Sequence, residues 1–137
     1  MLYQRQLFVL IAFALFLLPA LTYGAAENTV AGSIKEMTVK EAAQVLKQQN
    51  VVIVDVRTPE EFKAGHLPGA INCNLFGTRF DEQVEKLAKD KPVLVYCRTG
   101  KRSAGAADIF KEAGHNVLHM HEGVEAWQKA KLPIAKD

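Results

Sequence analysis

Val93-Leu94-Val95-Tyr96-Cys97-Arg98-Thr99-Gly100-Lys101-Arg102-Ser103-Ala104-Gly105-Ala106-Ala107 is the stretch on which the fold of this chain turns. Four apolar, β-prone residues read as a short buried strand. One cysteine then stands among three cations, a glycine and two hydroxyls, before Ala104 to Phe110 resumes a helical pattern. Strand, tight loop, helix is the arrangement in which several backbone N–H groups and the positive end of a helix dipole converge on one point. Cys97 stands at the mouth of that loop, where a thiol should ionise easily. Nearby cations stabilise a thiolate and attract anions, so Arg98, Lys101 and Arg102 are expected to lower the Cys97 pKa and to draw in a negatively charged substrate. The alternative, a buried structural thiol, is disfavoured because three flanking charges are costly to bury.

The 137 residues suffice for one domain with a real core, and 49% hydrophobic with 23% charged residues is a globular composition. Leu7 to Leu18 is an unbroken apolar run behind Arg5, followed by Pro19 and the small residues Gly24, Ala25 and Ala26. It is shorter than the roughly 20 residues that span a bilayer, so residues 1–26 read as a secretory signal peptide cleaved after Gly24 or Ala26. The expected location is exported, periplasmic. Removal of that segment leaves 16 Lys and Arg against 15 Asp and Glu. A nearly neutral body argues against nucleic acid and a membrane surface as partners, and the chain is expected to be a monomer.

Working outward, residues 27–34 read as a flexible linker and 35–137 as the folded domain. Thr38 with Glu41 forms a capping box that opens a helix running to about Asn50. Val51 to Val56 is almost continuously β-branched, as in a strand covered on both faces. Thr58-Pro59 with Glu61 opens a second, short helix that Gly65 ends. Ala70 to Asn74 is a short strand, Thr78 to Lys89 a helix, Asn116 to Met120 a strand, and Gly123 to Ala130 a last helix. Strands alternating with helices imply a single α/β domain with a mainly parallel sheet and helices on both faces. Ligands of such sheets bind outside the carboxyl ends of the strands, where Cys97 falls.

Three stretches together resemble the rhodanese, or sulfurtransferase, family. Asp55-Val56-Arg57 with Pro59-Glu60-Glu61-Phe62 and Gly65-His66-Leu67-Pro68-Gly69-Ala70-Ile71-Asn72 is similar to its first signature. Cys97 to Arg102 is similar to its active loop, and Gly123-Val124-Glu125-Ala126-Trp127 with Leu132-Pro133 to its carboxyl-terminal signature. The resemblance covers Ile34 to Ile134 and implies a rhodanese-like domain with a five-stranded sheet. It also implies sulfur transfer from thiosulfate or a similar anionic donor, through a Cys97 persulfide, to a thiophilic acceptor such as cyanide or a thiol. Arg98, Thr99, Gly100, Lys101 and Arg102 would bind the substrate. Neither a cofactor nor a metal is required. One departure is Glu122, which stands where the family often has the first of two glycines.

Two other functions compete with this one. A persulfide carrier or anion-binding module would keep Cys97 without turnover. Cysteine-dependent phosphatases and arsenate reductases use a similar loop but place their arginine after five intervening residues, where this chain has Ser103. The shorter Cys97-to-Arg102 spacing favours a single sulfur over a phosphate.

The remaining candidates read as structural. Asp55 and Arg57 form a charged pair at a strand end, His66 stabilises a turn, and Trp127 anchors the core. His119 and His121 face one side of a strand and are expected at its surface end, short of the ligands a metal needs. Cys73 is expected to be a small core residue, because strands of one sheet seldom bring two side chains into disulfide range with Cys97.

Overall fold

The computed structural model describes residues 32–137, so the expected signal peptide at 1–26 and most of the 27–34 linker lie outside the described residues. Ten elements follow in order: β1 (Ile34–Met37), α1 (Val39–Lys47), β2 (Val52–Asp55), α2 (Pro59–Ala64), β3 (Ile71–Asn72), α3 (Phe80–Lys86), β4 (Val93–Tyr96), α4 (Lys101–Glu112), β5 (Val117–Met120) and α5 (Gly123–Lys129). The strands form one sheet in the order β1-β5-β4-β2-β3, and every pairing in it is parallel.

The central strand is β4, the one read first from the sequence. Its four residues are each 0% exposed, as a strand covered by helices on both faces must be. Val93 and Val95 pack with Phe80, Val84 and Phe110 from α3 and α4. Leu94 and Tyr96 pack on the opposite face with Ala42 and Trp127 from α1 and α5. Burying one such side chain contributes about 1.5–3 kcal/mol, so the strand that carries Cys97 is among the most firmly held parts of the chain.

Both capping boxes form as the sequence predicts. The Thr38 and Thr58 side chains accept from the Glu41 and Glu61 amides, and both glutamates reach back to the threonine amides. Helix α1 is shorter than expected and ends at Lys47.

The largest addition to the sequence reading is β1, whose first residue, Ile34, the sequence alone places in the linker. Ser33 already accepts a 2.7 Å hydrogen bond from the Val117 amide, and Ile34 pairs with Val117. The same register sets Glu36 beside His119.

Glu122 has a specific place. Its backbone is helical, with φ −80° and ψ −17°, so no glycine is required there. Its carboxylate accepts a 2.6 Å hydrogen bond from the Val39 amide and so supplies a free N–H of the first turn of α1 with a partner. Glu122→Ala is expected to lower unfolding stability by about 1 kcal/mol in urea titration while leaving the chemistry of Cys97 unchanged.

Candidate active site

Cys97 is the first residue beyond β4, and its loop is pinned from below by α5. The Val124 and Glu125 amides donate to the Cys97 and Arg98 carbonyls at 2.9 and 3.2 Å. This close approach explains Gly123. Its φ is +72°, and a Cβ there would lie 2.2 Å from the Arg98 carbonyl oxygen. Gly100, at φ +91°, forms the amino-terminal cap of α4 and directs its own amide at the Cys97 Sγ, 3.2 Å away.

Cys97 is 1% exposed and Cys73 is 2% exposed, yet their thiols move in opposite directions. Burial pushes Cys73 up to about 11. Burial acts on Cys97 in the same sense, but the Ser103 hydroxyl and the amides of Ser103, Thr99 and Gly100 outweigh it and bring that thiol below its ordinary range. Thiolate absorbance followed against pH should therefore give two separated steps, with only the lower one missing from Cys97→Ser. Both cysteines are free.

The structure gives the loop amides the part the sequence expects of them and shows where the hydrogen bonds of two of the cations go. Arg98 is exposed and its Nε donates to Glu125 Oε1 at 2.5 Å. Arg102 donates two 2.7 Å bonds to the two carboxylate oxygens of Glu61, in the bidentate form that matches guanidinium to carboxylate. That contact holds the Glu61 carboxyl down to about 2. Arg98 and Arg102 therefore spend their hydrogen bonds on carboxylates, and the hydrogen bonds that favour the thiolate come from amides and a hydroxyl. The Arg102 charge still lies close enough to be felt by Cys97. Lys101 and Thr99 are exposed at the loop surface, and Lys101 has no carboxylate partner within ion-pair range among the described residues.

Ser103 is the functional residue that spacing alone did not single out. It is 0% exposed, and its Oγ lies 3.4 Å from Cys97 Sγ, 3.1 Å from the Gly100 carbonyl and 2.8 Å from His119 Nε2. Its position three residues after the helix cap was the available signal, since that places it on the first turn facing back toward the loop. His119 is not at the surface as expected. It is 3% exposed, and its Nδ1 lies 2.9 Å from Glu36 Oε2. His121, on the same side as expected, lies 3.6 Å from that oxygen.

The other candidates take structural places. Arg57 donates from Nε and Nη2 to the Asp55 carboxylate and from Nη2 to the Gly65 carbonyl, at 2.6–2.9 Å, with Asp55 fully buried. The His66 ring stacks on Phe62 at 3.8 Å, and its backbone pairs with Ala135. Trp127 is 3% exposed and donates to the Pro133 carbonyl. An apolar cleft lined by Leu46, Ile53, Trp127 and Leu132 opens on the α1 and α5 face and shares no residue with the Cys97 loop.

A parallel α/β sheet with a cysteine-centred, amide-lined loop at the carboxyl end of its central strand defines the class. The Rhodanese-like domain family matches residues 38–130, and the chain belongs to that family. It is 37% identical over 98 residues to a thiosulfate sulfurtransferase GlpE of Vibrio cholerae, covering 70% of this chain and 90% of the relative. It is also 33% identical over 97 residues to an HTH-type transcriptional regulator of Mycobacterium tuberculosis, covering 67% of this chain but only 42% of that longer protein. Among solved structures, a rhodanese-related protein of Thermoplasma volcanium superposes with a TM-score of 0.68 at 24% identity, over 75% of this chain and 99% of that one. That last likeness concerns the fold.

Proposed function

We propose that this protein is a sulfurtransferase that carries a sulfane sulfur on Cys97. The observation that carries the reading is the contrast between the two buried cysteines. Only Cys97 receives hydrogen bonds that favour its anion. The Cys97 thiolate attacks the outer sulfur of thiosulfate or a similar donor. A new S–S bond forms, the bond to the sulfonate sulfur breaks, and sulfite leaves with the electron pair. The persulfide left behind is anionic at its outer sulfur, and the loop amides suit that charge as they suit the thiolate. A thiophilic acceptor, cyanide or a thiol, then takes the outer sulfur and regenerates the thiolate. Lys101, Thr99 and the backbone of Gly100 border the approach, while Arg98 and Arg102 contribute field rather than free hydrogen-bond donors. The bidentate hold of Glu61 on Arg102 weighs against a phosphatase or arsenate reductase, which needs its arginine on the oxyanion. The apolar segment before residue 27 supports export, and the near-neutral domain supports small-molecule partners.

The test is a coupled assay with thiosulfate and cyanide. Equimolar sulfite and thiocyanate are expected. Persulfide formation without turnover would identify a carrier instead, and phosphate-ester hydrolysis without sulfite release would overturn the proposal.

A further inference from the structure

Four side chains, one from the loop after β4 and three from three different elements, form one continuous hydrogen-bonded line: Cys97, Ser103 on α4, His119 on β5 and Glu36 on β1. We propose that His119, oriented by Glu36 and reached through Ser103, takes up the Cys97 proton when the thiolate forms. His119 is then a positioning residue that keeps the nucleophile ionised. The inference deepens the sulfurtransferase reading and rests on it for the use to which the thiolate is put.

The proton inventory carries the argument. A carboxylate is acceptor only, so the contact with Glu36 requires a proton on His119 Nδ1 and leaves Nε2 as the variable position. The Ser103 hydroxyl has one proton and faces Sγ, Nε2 and the Gly100 carbonyl. With Cys97 as a thiol, S–H donates to Ser103 Oγ, and the serine O–H donates to a neutral Nε2. With Cys97 as a thiolate, the serine O–H donates to sulfur, and Nε2–H donates to Oγ. Passing between the two states breaks one S–H and one O–H bond and forms one O–H and one N–H bond. Nothing is oxidised or reduced. The charge separates into a thiolate and an imidazolium, and the imidazolium meets the Glu36 carboxylate at 2.9 Å. Sulfur transfer then moves negative charge from Sγ to the outer sulfur, so the proton stays on His119 through the cycle.

His115 shows what a histidine used only for packing looks like in this chain. It is fully buried, with Nε2 against the Val84 carbonyl and Nδ1 without a partner among the described residues. Both His119 nitrogens are instead engaged along a line that ends in ionisable groups. The groups that meet His119 are Glu36 from β1, Ser103 from α4 and, beyond it, Cys97. Val95, its register partner on β4, is apolar, and His121 reaches the same Glu36 oxygen from the end of β5.

Glu36 is 59% exposed at its side chain, so Glu36→Gln should fold where a change at buried His119 could fail. It also separates two explanations by sign. Removing a carboxylate near the thiol, with no relay, makes the thiolate easier to form. Through the relay, removing it weakens the imidazolium and makes the thiolate harder to form. The experiment is a thiolate absorbance titration of the full chain, with Cys97→Ser subtracted to remove Cys73. The Cys97 midpoint is expected to rise in Glu36→Gln, and by about one pH unit in His119→Asn, which is about tenfold less thiolate below the midpoint. An unchanged or lower midpoint in Glu36→Gln overturns the proposal whether or not His119→Asn folds. Sulfur loading from thiosulfate is measured separately: shifted midpoints without loading would refute the sulfurtransferase reading and leave the relay standing.

Discussion

Cys97→Ser is expected to abolish sulfite release from thiosulfate, a loss of at least about 10³-fold, without a measurable change in the unfolding midpoint. A serine hydroxyl stays protonated where the thiol ionises, and an alkoxide has no means of holding a sulfane sulfur as a persulfide. The side chain is nearly isosteric, and the donors that surround Sγ are met equally well by an oxygen that accepts from them. The loss is therefore chemical rather than structural. Cys73→Ala supplies the contrast. That residue lies in the apolar cluster under β2 and β4, and its substitution should lower stability through lost packing while sulfur transfer persists.

Gly100→Ala is expected to damage fold and chemistry together. A Cβ at this position would lie 1.8 Å from the His121 carbonyl oxygen, and the φ of +91° is one that side chains rarely adopt. Backbone must therefore move on one side or the other, at a cost of about 3 kcal/mol in unfolding stability. The movement displaces the amide that donates to Cys97 Sγ and the carbonyl that accepts from Ser103, so the Cys97 thiol should rise toward its ordinary range. Gly105→Ala has the opposite expected sign. It is an exposed helical glycine on α4 with none of the described residues within 4 Å of its Cβ position, and alanine there should add about 0.5–1 kcal/mol. Urea titration of the two variants side by side checks both statements.

How much of this was legible in the sequence depends on whether the signal is local. The capping boxes at Thr38 and Thr58, the buried β4 strand and the loop that follows it are written in contiguous residues, and each forms as read. The parallel sheet followed from β-branched runs alternating with helical patterns. Strand β1 was hidden because four residues, Ile34 to Met37, carry little alternation, and only pairing with β5 makes them a strand. The burial of His119 was hidden for the same reason, since its neighbours Glu36 and Ser103 lie 83 and 16 positions away. The sequence alone offers Arg98 and Arg102 to a substrate because their partners, Glu125 and Glu61, are distant in the chain, on α5 and α2. Charge in a sequence gives the sign near a site, but long-range pairing decides which charges remain available to a ligand.

The most direct test of the central claim is the mass of the purified protein after incubation with thiosulfate and removal of excess donor. The account predicts a gain of one sulfur atom, located on the peptide containing Cys97, lost on adding cyanide or a thiol, and absent from Cys97→Ser. An unchanged mass, or a sulfur found on Cys73 with Cys97 untouched, would contradict it.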